Sequence, residues 1–264
     1  MFSSSSVSTV TASLLAVLLL TLAPVAATAQ PVDSLLSRGH ALLKQGTTYG
    51  DAATLQQARS FFQRATASDT LTAFSHYYLA LADYRLIDVS GEDQREQYMD
   101  DAATHLETSL ELRDGWAEAN ALLSLVYGRK AGQGMLSGMR YGSKAGNRLD
   151  AAKEAAPDNP RVLLADGISL INKPSMWGGD KDLGMKRLQQ AVRQFEERST
   201  NVEAGSDWLD PSWGHAEAYA WIGIVHAKAD RHDQARTAFQ SALSVRPQYA
   251  WVENILMPKL AAAE

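Results

Sequence analysis

The stretch from Ala216 to Tyr249 constrains the fold more than any other part of the chain. It reads AEAYAWIGIVHAKADRHDQARTAFQSALSVRPQY, and Pro247 closes it. Large and small side chains share one face of each predicted helix: Tyr219, Ile222, Gly223 and His226 on the first, and Ala235, Phe239 and Ala242 on the second. Such spacings of three and four let two antiparallel helices interlock. The stretch therefore predicts a helix–turn–helix unit.

This unit of about 34 residues resembles a tetratricopeptide repeat (TPR). The residues that carry the resemblance are Tyr219, Ile222-Gly223, Ala235, Phe239, Ala242 and Pro247. The departure is His226, where the family pattern usually has Tyr. The resemblance implies an all-α fold, a right-handed α-solenoid, and a protein-interaction module without catalytic activity.

The same signature recurs through the chain. The small–large–small pattern of the second helix is repeated at Ala58/Phe62/Ala65, Ala102/Leu106/Ser109, Ala145/Leu149/Ala152 and Gly184/Leu188/Ala191. First helices are predicted around Gly39, Ala80, Ser124 and Gly167, each a small residue where two helix backbones approach closely. We predict about five repeats, over about 32–69, 70–115, 116–158, 160–198 and 216–249, and a capping helix over 250–260.

Four of the five predicted repeats depart from the regular spacing. The small residues of the two helices are 12 positions apart from Gly223 to Ala235, but 17 to 22 apart in the others. We expect an enlarged turn between the two helices of each of these repeats, and these turns share one edge of a solenoid. The glycine-rich stretch Gly128–Gly138 is expected to be such a loop, with Arg129 and Lys130 in solvent. The turns are either neutral insertions or a binding rim.

The first 29 residues indicate export. They contain no Asp, Glu, Lys or Arg, and an apolar run from Leu14 to Leu22 precedes the small–x–small sequence Ala27-Thr28-Ala29. We expect a signal peptide over 1–29 that is cleaved near Ala29, and a periplasmic or secreted product without stable membrane insertion. The chain has no cysteine, which excludes disulfides, thiolate zinc sites and a lipid-modified cysteine anchor.

Composition argues against several functions. The formal net charge is −5, and Lys and Arg alternate with Asp and Glu, so a nucleic-acid partner is not expected. His226, Asp230, His232 and Asp233 are close in sequence, but the repeat register directs His226 away from the turn that holds the others. We predict no metal, no cofactor and no enzymatic activity.

Two loops and one helix face hold the candidate binding residues. In the sequence PSMWGGDK, Met176 and Trp177 either pack over a tight turn or face a ligand, and Asp180 is placed to cap the next helix. The long segment before His215 holds Trp208, Leu209 and Trp213, which are expected to tuck into the domain. By the repeat register, Glu217, Ala220, Ile224 and Lys228 face the groove in repeat five, as do Glu118, Ala121 and Leu125 in repeat three.

Two functional hypotheses remain from the sequence. The first is a cell-envelope scaffold that holds a protein or peptide segment. The second is a periplasmic protein that binds a small apolar ligand, similar to the T-component of TRAP-type solute transporters. In that case Met176, Trp177, Trp208 and Trp213 are expected to line one apolar cavity.

Overall fold

The computed structural model describes residues 30–201 and 209–263, and these residues contain helices and no strand. The predicted signal segment, residues 1–29, and Trp208 lie outside the described residues. Residues Pro31–Glu264 form a compact unit of their own. Within the described ranges, no helix has the length and apolar character that crossing a bilayer requires.

Five antiparallel helix pairs follow one another in the described chain. The pairs are α1 (Val32–Tyr49) with α2 (Ala52–Ala65), α3 (Thr72–Val89) with α4 (Glu92–Leu112), α5 (Ala117–Ala131) with α6 (Met135–Ala155), α7 (Pro160–Asn172) with α8 (Lys181–Asn201), and α9 (His215–Ala227) with α10 (His232–Val245). A π-helical turn (Val252–Leu256) and the short helix α11 (Met257–Ala261) follow. The predicted all-α repeat solenoid with a terminal cap is therefore confirmed.

Each pair is held by a small residue on its first helix and a large one on its second. Gly39 of α1 lies against the Phe62 ring of α2, and a Cβ at residue 39 would stand 2.5 Å from Phe62 Cε1. Gly223 of α9 meets Phe239 of α10 in the same way. Because a side chain at these positions would overlap the facing ring, the backbones can approach only where the residue is Gly.

The expectation of enlarged turns is wrong for three of the four irregular repeats. The α1–α2, α3–α4 and α5–α6 connections are only two or three residues long, and the extra residues lengthen the helices instead. For example, α3 continues nine residues beyond Ala80, whereas α9 ends four residues beyond Gly223. Three to seven extra residues make a helix about 5–10 Å longer, so the pairs α3–α4 and α5–α6 project at this edge.

The glycine-rich stretch at residues 128–138 is accordingly mostly helical. Only residues 132–134 form the turn, and Arg129 and Lys130 belong to α5. Lys130 is buried and pairs with Asp100 of α4, and Arg129 pairs with Asp88 of α3. Neighbouring helices thus supply partners that make this segment part of the packed array rather than a solvated loop. Only the α7–α8 connection is enlarged, and Ser175–Trp177 forms a 3-10 turn within it.

The terminal segment covers the last pair, as the sequence predicts. Val252 and Leu260 are buried with Phe239 and Tyr249 in a small second core. The remaining buried apolar side chains form one large core that extends from α1 to α10.

Candidate functional site

The first helices of all five pairs, together with the terminal segment, line a partly open cavity of about 260 Å³, the inner chamber. Its walls are rich in aromatic side chains, namely Tyr49, Tyr84, Trp213, Trp221, Tyr249 and Trp251. Helical spacing explains part of this lining: Trp221 stands four residues after Glu217, and Asp88 four residues after Tyr84, so each pair shares one helix face. The rings of Trp221 and Trp251 stand 6.4 Å apart at a steep angle.

A buried carboxylate joins three elements at the wall of the inner chamber. Glu217 of α9 accepts hydrogen bonds from Arg85 of α3 at 2.6 Å and from Arg246, just after α10, at 3.0 Å. Its other oxygen accepts from the Gly214 backbone N–H at 2.9 Å, which caps α9. Burial alone would raise the pKa of Glu217, but the charges of Arg246 and Arg85 outweigh burial and hold the pKa well below its usual range.

A second ion pair lies at the chamber wall. Arg129 donates two hydrogen bonds to Asp88, at 2.6 and 2.8 Å, and its guanidinium lies 4.8 Å from the centre of the Tyr84 ring. Each charged group of the wall therefore has a partner of opposite sign, with Arg85 and Arg246 sharing the carboxylate of Glu217. What the inner chamber offers to a ligand is mainly aromatic and apolar surface, since none of these carboxylates or guanidinium groups lacks an opposite charge.

The segment that precedes α9 lies across the array. The Tyr78 hydroxyl donates to the Leu209 carbonyl oxygen at 2.6 Å, and Trp213 Nε1 donates to the Tyr77 hydroxyl at 2.7 Å. Leu209 and Trp213 are buried, as the sequence predicts. Residues 209–214 thus lie against α3 before the chain enters α9. A second, wider cavity of about 700 Å³, the outer cavity, lies beside this segment and shares Trp213, Arg85 and Tyr49 with the inner chamber.

Among the described residues, the structure brings three of the predicted binding residues together, namely Leu125, Trp213 and Glu217, which all line the inner chamber. Met176 and Trp177 are exposed in the α7–α8 turn and line neither cavity, so the expectation that they join Trp213 in one cavity is wrong. Asp180 caps α8 as predicted, because its Oδ1 accepts from the Leu183 N–H at 2.9 Å.

The predicted groove face of α9 is corrected in part. Ile224 packs against the second core beside the terminal segment, and Lys228 is exposed. Neither lines either cavity. The reason is that α9 is apolar on nearly every side. The neighbouring elements therefore determine which of its faces is buried, and the hydrophobic pattern of α9 itself does not. In α5, Leu125 lines the inner chamber as expected, whereas Ala121 is fully buried and Glu118 accepts a hydrogen bond from Asn159.

Sequence reasoning missed most of the aromatic lining. Trp221 could have been found, since it lies one helical turn after Glu217 on the face already assigned to the groove. Tyr49, Trp251 and Arg85 gave no local signal, because they belong to repeats distant in sequence. In the described parts of the chain, no group of three or more His, Asp and Glu side chains is arranged to hold a metal ion.

Comparison with known proteins adds a family and a fold. A family model described as the N-terminal region of the PI31 proteasome regulator matches residues 63–204, more than half of the 264-residue chain. The chain belongs to this family. The matched region begins inside α2 and includes α3 to α8, so it consists of TPR-like helix pairs in this structure. No curated protein sequence matches the chain.

Three solved structures show the fold. A thermophilic TPR protein of Thermus thermophilus has a TM-score of 0.62 and 17% identity, covering 88% of this chain and 98% of that one. The HusA haemophore of Porphyromonas gingivalis also has a TM-score of 0.62, with 22% identity, covering 76% of this chain and 96% of that one. The Cut9–Hcn1 hetero-tetramer of the APC/C has a TM-score of 0.52 and 14% identity, covering 88% of this chain and 46% of that one. The TPR fold predicted from the repeat pattern is therefore confirmed.

Proposed function

We propose that the chain is a non-catalytic binding scaffold of the cell envelope that holds a protein or peptide segment by an aromatic or aliphatic anchor in the inner chamber. The observation that carries the proposal is the composition of this chamber. Its rings come from helices of several repeats, and its charges are paired internally. Such a site favours an apolar side chain over a charged group, because an unpaired charge there would lose its hydration without gaining a partner.

The volume of the inner chamber limits how much of a binding partner can enter it. Ligand cavities for whole small molecules are commonly about 300 Å³ or larger. A chamber of about 260 Å³ therefore suits one or two side chains of a longer segment, and the rest of the segment has to lie in the outer cavity. Binding through a few buried anchors surrounded by weak contacts is the usual pattern of protein interfaces. The Cut9–Hcn1 complex is an example of a TPR-fold protein that assembles with another chain.

The test uses the chain from Gln30 onward as bait in a selection from a random peptide display library. We expect the selected peptides to share an aromatic or aliphatic residue, and to bind the Trp221→Ala variant about 30-fold more weakly, the loss typical of a buried anchor contact. Trp177→Ala is the matched control, since Trp177 is exposed and lines neither cavity. Peptides that bind both variants like the wild type would place the site elsewhere.

A small planar apolar ligand is the second candidate. The observation that favours it is the position of residues 209–214, which are hydrogen-bonded to Tyr77 and Tyr78 and so already cover part of α3 that a bound peptide would use. The HusA haemophore has a similar fold, although at 22% identity it shows the fold alone. The three similar structures give no support to the T-component resemblance. Two results together would favour this candidate over the first. The display library would yield no peptide, and a neutral aromatic probe would raise the melting temperature of the wild type but not of the Trp221→Ala variant.

Export remains part of the proposal, supported by the apolar, uncharged segment 1–29 and its small–x–small sequence Ala27-Thr28-Ala29. In a bacterial host we expect the full chain to be processed and recovered from the periplasmic fraction, with Gln30 at its new N-terminus. N-terminal sequencing of the purified product measures this. An unprocessed chain in the cytoplasmic fraction would remove the cell envelope from the proposal.

A further inference from the structure

A group of exposed apolar side chains marks one edge of the third and fourth helix pairs. Met135, Leu136 and Met139 at the start of α6 are exposed by 75% to 83%, and in the α7–α8 turn Met176 and Trp177 are exposed by 83% and 66%. The turns within neighbouring helix pairs emerge on the same edge of a TPR array. We call these five residues the apolar rim. They are separate from the residues that line the inner chamber.

Basic residues accompany the apolar rim. The segment from Gly128 to Arg148 contains five Lys and Arg residues and no Asp or Glu, although the whole chain has a net charge of −5. Arg129 and Lys130 are paired with Asp88 and Asp100. In the part of the chain that the structure describes, the other three basic residues of this segment form no ion pair with an acidic side chain: Arg140, Lys144 and Arg148.

Helical geometry arranges these side chains as an interfacial surface. At 100° per residue, Met135, Leu136 and Met139 fall within one 100° sector of α6. Arg140 lies about 40° outside that sector, and Lys144 lies about 40° further round on the same side, so positive charge stands beside one border of the apolar face. Because α5 and α6 extend beyond the regular repeat length, Met135, Leu136 and Met139 lie at the end of a lengthened helix pair. Their high exposure leaves them accessible to a flat surface.

We infer that the apolar rim docks on the surface of an anionic lipid bilayer. Met, Leu and Trp side chains enter the boundary between headgroups and acyl chains, and the flanking Lys and Arg side chains contact the lipid phosphates. This pattern of apolar residues bordered by cations is the one that peripheral membrane binding requires. The five rim residues line neither cavity, so the inference is independent of the proposed binding function.

Vesicle co-sedimentation tests the inference. The chain from Gln30 onward contains the whole compact unit and omits the apolar N-terminal stretch, which would bind lipid by itself. We expect it to sediment with vesicles of equal parts phosphatidylcholine and phosphatidylglycerol, and to remain in solution with phosphatidylcholine alone. Leu136→Glu/Met139→Glu should abolish binding, and Arg140→Gln/Lys144→Gln should weaken it about tenfold or more, since each cation near an anionic surface contributes to affinity.

The matched control is Leu112→Glu. Leu112 is 54% exposed at the end of α4, at the turn between helix pairs and so on the opposite edge, and its substitution should leave vesicle binding unchanged. Circular dichroism melting of every variant shows that each is folded. Failure of the wild type to bind the anionic vesicles would overturn the inference. The inference would also be overturned if the Leu136→Glu/Met139→Glu variant bound vesicles as well as the wild type does. The same holds if this variant lost a protein partner while the wild type bound no vesicles.

Discussion

Asp83 is the most unusual titratable residue in the structure. Its side chain is fully buried on α3, where Arg59 of α2 donates to Oδ1. Its Oδ2 has no hydrogen-bond partner among the described residues and lies 3.9 Å from His105 Nε2. Burial raises the pKa of Asp83 to about 7 against the opposing effect of Arg59. Burial, together with the neighbouring His76 and Arg59, lowers the pKa of His105 to about 4, so the imidazole is neutral near pH 7.

These pKa values predict a pH dependence that Asp83→Asn removes. Because the pKa of Asp83 is about 7 in the folded chain and 3.8 ordinarily, its contribution to stability is fully present below about pH 4 and is lost as the pH rises through 7. Asn carries no titrating proton. From pH 5 to pH 8 the wild type should therefore lose about 1–3 kcal/mol relative to the variant.

Urea unfolding, followed by circular dichroism at both pH values, measures this difference. Only the difference between the two proteins is informative, since His40 and His105 have lowered pKa values and titrate with the opposite sign. If the difference in unfolding free energy between the wild type and Asp83→Asn is the same at pH 5 and pH 8, then Asp83 is ionised throughout this range and is stabilised by Arg59.

At the scale of helix pairs, close approach at a glycine holds the first, fourth and fifth pairs together, at Gly39, Gly167 and Gly223. Gly223→Ala should destabilise the chain by about 1–3 kcal/mol, because the new methyl group would overlap the Phe239 ring inside a packed core. Gly146→Ala is the matched control. Gly146 lies in the interior of α6 with nothing within 4 Å of an added Cβ, so the same change should stabilise by about 0.5–1 kcal/mol. Thermal melts of the two variants should therefore move in opposite directions, and a neutral Gly223→Ala would remove the packing argument.

The helix pairs also show what a sequence can and cannot predict here. The contact between Gly223 and Phe239 was predictable, because it depends on residue size at a fixed spacing within one repeat. The length of α6 was not, since Gly138, Gly142 and Gly146 all lie inside this helix although each disfavours it. Packing against α5 outweighs that local preference. The inner chamber was predicted only at Leu125, Trp213 and Glu217, as its other walls depend on where α1 and the terminal segment meet.

At the scale of the whole repeat unit, contacts between distant helix pairs distinguish this array from an open one. In an open array each repeat touches only its neighbours, so stability is a sum of local terms. Here Arg85 of α3 binds Glu217 of α9, and Tyr77 of α3 accepts from Trp213. The Tyr49 hydroxyl at the end of α1 also donates to Gln248 Oε1 at 3.1 Å. The second and fifth pairs are therefore coupled directly, without the intervening repeats.

Trp213→Ala tests this coupling. The substitution removes a buried indole, 5% exposed, and leaves the Tyr77 hydroxyl without its donor. We expect a loss of about 3–5 kcal/mol, the usual range for truncating a buried Trp. Amide hydrogen exchange should show reduced protection in both α3 and α9, because the lost contact belonged to both, and little change in α6, which does not touch Trp213. Trp177→Ala, at an exposed position, should change stability by less than about 0.5 kcal/mol. If protection fell in α9 alone, the helix pairs would unfold as independent neighbours, and the inner chamber would lack the rigid walls that selective binding of an apolar anchor requires.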